Sequence, residues 1–178
     1  MAFVYSKPRG VKVPPLNKQS IKHKARIIRD KLFKLHPSES IDLSRTLEHK
    51  LHLLGVTFEI WEIVDMPDVE ALTNPDAMTI ILREDTYDAL CNSNHPKFRR
   101  ARFTVAHEIG HLFLHEGFAL ARGAIQHEHY EDSEWQADTF AAELLMPTEE
   151  CLGLAIEEIQ AKFLVGYKAA KYKFESLK

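Results

Sequence analysis

RFTVAHEIGHLFLH, residues 102–115, is the stretch on which the reading of this chain turns. Phe103, Ala106, Ile109 and Phe113, with Val105 and Leu112, recur at the spacing of one helical face. That pattern predicts an amphipathic helix over residues 98–115. Within it, His107, Glu108 and His111 form HExxH. Two histidines four apart are rotated by only about 40° around a helix axis, so both imidazoles can address one metal ion. Zinc accepts two imidazoles and a carboxylate and keeps a fourth position for water. Glu108 would stand beside that water and take its proton. The motif alone does not decide the matter. In a chain with ten histidines, HExxH arises by chance with a probability of roughly 5%, so its surroundings must carry the argument.

Those surroundings include a second helix. Ser133 with Gln136 three residues on has the form of a capping box, and Ala137, Phe140, Ala141, Leu144 and Leu145 follow before Pro147 stops the run. Glu134 lies in the first turn, and Asp138 follows one turn later on the same face. A carboxylate there could complete a zinc site, and Asp138 could accept the spare N–H of a zinc-bound histidine. The plain alternative is a solvated acidic face. The other third-ligand scheme, HExxHxxGxxH, fails because Leu114 and Gly117 stand where glycine and histidine are needed.

Outward from these helices the chain alternates types. Residues 1–17, with Pro8, Pro14 and Pro15, read as an extended basic arm. Ile21, Ala25, Ile28, Leu32 and Leu35 predict a helix over 18–35, stopped by Pro37. Leu43, Leu47, Leu51 and Leu54 predict another over 39–54, ended by Gly55. Val56, Phe58 and Ile60 alternate as a strand towards Val64, and MTIILR (78–83) is a second strand. Residues 67–75 read as loop, and 85–97 as irregular, with a third strand to be sought in 85–97 or 118–130. Two helices are expected over 148–163 and 167–177. The expected fold class is α+β, mostly helical with a small sheet, residues 18–178 forming one domain.

Composition sets limits. Hydrophobic residues are 45% and charged residues 28% of the 178, ordinary for a globular chain and not for a disordered one. No apolar run nears the ~18 residues of a membrane span, and the N-terminus does not read as a secretory signal. Two distant cysteines, Cys91 and Cys151, make no disulfide framework, so a reducing cytoplasm is expected. Residues 1–36 hold ten Lys or Arg against Asp30 alone, leaving 13 basic and 25 acidic residues beyond. The plain reading is a basic helix complementing an acidic body. The sharper one is a contact surface for an acidic partner or nucleic acid, and the few interleaved aromatics do not favour nucleic acid.

Other residues carry weaker expectations. His115 extends the row of His107 and His111, but its face has turned by about 80°, so it reads as a flank of the core. His127, His129 and Tyr130 belong to a solvated loop or to a lid that touches substrate. Cys91 precedes the HExxH helix; it is an ordinary loop cysteine, or its thiolate takes the open metal position and holds the site inactive.

RFTVAHEIGHLFLH and EWQADTFAAELLMP (134–147) together resemble the ImmA/IrrE metallopeptidases. A looser similarity runs from near Ile21 to FLVGYKAAKYKFESL, where Gly166 and Lys173 replace the Ser and Arg expected of the family. The resemblance implies a zincin-like fold, His107, His111 and Glu134 as zinc ligands, and Glu108 as catalytic base. It also implies cleavage of a helix-turn-helix repressor, relieving repression. The competing reading is a binding module that holds a repressor without cutting it, with zinc only structural; an intact Glu108 speaks against that.

Overall fold

The computed structural model describes residues 10–117 and 126–177. The first nine residues of the expected arm, and residues 118–125 of the expected loop or strand, lie outside them. Among the described residues, eight α-helices and three strands follow in the order α1 (Lys18–Ile27), α2 (Leu43–His49), β1 (Thr57–Trp61), β2 (Ala71–Asn74), β3 (Thr79–Arg83), α3 (Glu84–Cys91), α4 (Phe98–Leu114), α5 (Ser133–Leu145), α6 (Thr148–Cys151), α7 (Ile156–Phe163) and α8 (Tyr167–Glu175). The class is α+β, mostly helical, with one small sheet. No helix among the described residues is long and apolar enough to cross a membrane.

α4 and α5 form the centre. Val105, Ala106, Ile109 and Leu112 from α4 meet Phe140, Ala141, Leu144 and Leu145 from α5, all fully buried. α1 packs on the other side of α5 through Ile21 and Ala25. Its N-terminus is capped by Asn17, whose side chain accepts the Ser20 N–H at 2.8 Å. The helix then widens into a π-helical turn over Ile28–Phe33. Arg29, in that turn, is buried and donates to the carbonyls of Leu144, His36, Pro37 and Glu39, tying α1 to α5 and to the following loop.

The sheet has the order β1–β3–β2, with β1 parallel and β2 antiparallel to β3. Ile80 and Leu82 point their fully buried side chains at the helices. Register places Thr73 beside Ile80 and Ala71 beside Leu82. Cross-strand partners share a face, so Thr73 looks towards α4 from the sheet edge.

Four expectations are corrected here. The third strand is β2, inside the expected 67–75 loop; it is four residues long, bounded by Pro75, and held by antiparallel pairing with β3 across the turn at 75–78, too short to show a period of its own. Residues 85–91 of the expected irregular segment belong to α3, with Glu84 and Asp85 favourable in its first turn and Ala89 and Leu90 buried. The turn-forming residues Asn92, Asn94 and Pro96 begin only after it ends. The cap of α5 is Asp132, not Ser133: its carboxylate accepts the Trp135 N–H at 2.9 Å. The expected helix over 148–163 is two helices, α6 and α7, separated by a turn.

Candidate metal centre

The geometry starts from helix packing. A Cβ built on Gly110 would lie 3.1 Å from both Cα and O of Ala137 and 3.2 Å from Cδ1 of Phe140. The glycine inside HEIGH therefore lets the α4 backbone approach that of α5 closely. That approach brings Glu134, in the first turn of α5, to the two histidines of α4. His107 Nε2 and His111 Nε2 lie 3.0 Å apart. Glu134 Oε2 is 3.2 Å from the first and Oε1 is 3.2 Å from the second. Ligand atoms of these three residues all fall within 4.8 Å of one another.

This donor set fits a zinc ion. Two ring nitrogens 3.0 Å apart, each facing a carboxylate oxygen, converge on a common centre. Donors about 2.0–2.1 Å from a tetrahedral ion stand roughly 3.3 Å apart, close to the spacing here. Two imidazoles and one carboxylate are three ligands, leaving one position open. Neighbouring groups in this cleft also shift two titrations. Burial alone would lower His107, but Asp138 and Glu134 outweigh it and raise the imidazole to about 10. Burial works against the Glu134 carboxylate too; His107 and His111 outweigh it and lower its pKa well below the usual range.

A further layer of contacts holds the cluster residues. Asp138 Oδ1 stands 2.9 Å from His107 Nδ1. His115 takes the corresponding place for His111: the Nδ1 atoms of the two rings are 3.0 Å apart. His115 Nε2 is in turn 3.1 Å from Gln136 Oε1. Burial, then the charge of His111, lower His115 to about 4, so its ring is neutral. The reading of His115 as a flank of the core is right about its burial but missed this contact. Its signal was the eight-residue spacing from His107; the 80° of rotation places it beside His111 rather than at the cluster.

Glu108 is only 8% exposed. Thr73 on β2 donates its hydroxyl to Glu108 Oε2 at 2.6 Å and lies 3.1 Å from the Glu108 carbonyl. Nothing local in the sequence marks Thr73, because its four-residue strand carries no period of its own. Cys91 is not brought to the cluster. It ends α3 as an exposed residue. Burial, opposed by a bond to Tyr87, raises its thiol pKa. His127 Nε2 meets Asp132 Oδ2 at 3.1 Å beneath the start of α5, and His129 stacks edge-on against Trp135 at 4.9 Å. The basic N-terminal region is partly committed to the chain itself: Lys12 pairs with Glu131, Arg26 with Glu149, and Lys22 donates to Thr148.

Comparison with known proteins matches residues 79–175 to the peptidase M78 family model, described as the IrrE N-terminal-like domain. No curated protein matches the chain. Among solved structures, a Mycobacterium tuberculosis transcriptional regulator is similar, with a TM-score of 0.56 and 13% identity. That similarity covers 88% of this chain and 46% of the regulator, so the chain spans about half of that protein's length and shares its fold. The family match covers more than half of the chain, including both helices of the His–His–Glu cluster. The chain belongs to the IrrE N-terminal-like family, peptidase M78.

Proposed function

We propose that this protein is a zinc metalloendopeptidase that cuts a peptide bond in a partner protein. The observation that carries the reading is the convergence of His107, His111 and Glu134 on one point, on the helix that also carries Glu108. In this reading those three residues hold zinc, Asp138 orients His107, and Glu108 is the base. The domain spans 18–178 with a zincin-like architecture, the arm covers 1–17, and the setting is the cytoplasm.

Bound zinc would acidify a water and polarise the scissile carbonyl. Asp138 accepts the His107 Nδ1 proton, which leaves Nε2 free as a ligand. Thr73 anchors one oxygen of Glu108 and leaves the other to accept the proton of water. As the water oxygen bonds to the carbonyl carbon and the C–N bond breaks, Glu108 delivers that proton to the leaving nitrogen. Thr73 keeps the carboxylate in place through both transfers. Cys91 has no part in this reading.

The proposed substrate is a helix-turn-helix repressor, cut at one or a few sites in a flexible segment. Two observations support regulation as the setting: the family, and a structural neighbour that is itself a transcriptional regulator. The test mixes purified protein, zinc and the repressor encoded beside its gene, and reads fragments by mass spectrometry. One or two defined fragments, absent with Glu108→Gln or a chelator, are expected. Comparable cutting of casein would remove the selectivity. Full biological output from Glu108→Gln would instead favour a binding module that holds its partner without cutting.

A further inference from the structure

Residues 10–16 of the arm run antiparallel along the segment that leads into α5. Val13 N–H donates to Glu131 O at 2.8 Å, Leu16 N–H to Tyr130 O at 3.0 Å, and Ser133 N–H to Val11 O at 3.1 Å. Gly10 N–H donates to Asp132 Oδ2 and Val11 N–H to Ser133 Oγ, each at 3.1 Å. The strap thus occupies the capping residue of α5 and the residue after it, immediately before the ligand Glu134. Contact with Glu134 is tight: a Cβ on Gly10 would lie 2.8 Å from both the backbone N and the Cγ of Glu134. No ordinary side chain fits there without moving the strap or the first turn of α5.

A second route runs from the strap to His111. Gln136 Nε2 donates to Pro14 O at 2.9 Å and to Tyr130 O at 2.8 Å. Two carbonyls on that side fix the amide group, so Oε1 must face His115. His115 Nε2 then carries the proton that Gln136 accepts. His115 Nδ1 in turn lies 3.0 Å from His111 Nδ1 and holds that ring from the side away from the cluster. His111 Nε2 is thereby turned towards Glu134 and His107. Pro14 O is the outer end of a chain of contacts that orients a proposed ligand.

We propose that residues 10–16 are a positioning element of the metal centre, acting on Glu134 directly and on His111 through Gln136 and His115, so that strap docking and metal occupancy are coupled. The inference rests on the metal reading above. Coupling is reciprocal: what the strap adds to metal affinity, the metal adds to strap docking.

The experiment uses the full chain with zinc, and with cobalt as a spectroscopic probe. Gly10→Val and Gln136→Leu are compared with wild type by chelator competition, by the visible spectrum of the cobalt-loaded protein, and by thermal unfolding without metal. Each variant should bind zinc about 10-fold or more weakly and alter the cobalt spectrum. In wild type, zinc should slow hydrogen exchange at the Val11, Val13 and Leu16 amides several-fold beyond any slowing of β3 amides. His111→Ala should abolish that effect. Two folded variants with zinc affinity within about twofold of wild type would overturn the proposal. Should Gly10→Val fail to fold, the exchange measurement decides, and strap amides indifferent to zinc overturn it. Wild type that binds no zinc at all defeats the metal reading itself, and this inference with it.

Discussion

Thr73 Oγ1 lies 2.6 Å from Oε2 of Glu108, a contact that joins the edge strand β2 to the HExxH helix. A hydrogen bond to a charged group is worth about 1.5–3 kcal/mol, or roughly 10–100-fold in a rate that depends on it. Thr73→Val keeps the shape and removes the hydroxyl. Turnover on a cleavable partner should fall about 10-fold or more while zinc content is unchanged, and Thr73→Ser should restore most of it. Equal turnover in Thr73→Val would show that Glu108 needs no anchor.

The ligands and their supports should separate in metal affinity. Glu134→Ala leaves two imidazoles and should lose stoichiometric zinc at neutral pH. Asp138→Ala removes the acceptor 2.9 Å from His107 Nδ1 and should weaken binding by roughly 10–100-fold without abolishing it. Metal analysis after dialysis and chelator competition measure both. Full occupancy in Glu134→Ala would mean that another group supplies the third ligand.

The pH dependence follows from His107, whose carboxylate neighbours raise it against burial from 6.5 to about 10 in the metal-free protein. A raised pKa means that the folded state holds this proton more tightly than the unfolded one. That stability is complete below about pH 6.5 and is lost as pH rises towards about 10. Bound zinc would take the place of the proton. Metal-free protein should therefore lose Tm over this window, while the stabilisation given by zinc grows. Calorimetry in buffers of different ionisation enthalpy should show proton release on zinc binding near neutrality. Binding with no proton release would contradict the charged His107–Glu134 pair.

The sequence revealed the site along helices and missed it across strands. His107 and His111, and Glu134 and Asp138, are each one turn apart on a helix, and a fixed turn angle makes such spacing readable. That α4 and α5 would meet was carried only by the second motif; the closeness of their meeting depends on Gly110 against Ala137, a contact between distant positions. Thr73 was hidden because β2 exists through pairing with β3, and four residues of edge strand carry no period of their own. The strap at residues 10–16 was hidden for the same reason. Its hydrogen bonds go to residues 130–136, more than a hundred positions away, and proline-rich sequence gives no sign of a partner.

The C-terminal helix supplies a prediction about stability alone. Lys173 on α8 and Glu143 on α5 are buried, their Nζ and Oε2 atoms 2.5 Å apart, with Thr148 bonded to both. Burial opposes both charges and lowers Lys173, while the ammonium holds Glu143 below its ordinary range. Lys173→Met leaves Glu143 buried without its cation, which should destabilise the fold by about 3–5 kcal/mol. The double variant Lys173→Met/Glu143→Leu removes both charges and should recover most of that loss, because apolar replacement of a buried pair is often neutral or better. Urea unfolding of the metal-free proteins measures each value. A single variant that loses under about 1 kcal/mol would show that water reaches Glu143 and that the pair behaves as a surface one. Zinc affinity should be unchanged in the double variant, because Glu143 lies more than two turns along α5 from Glu134.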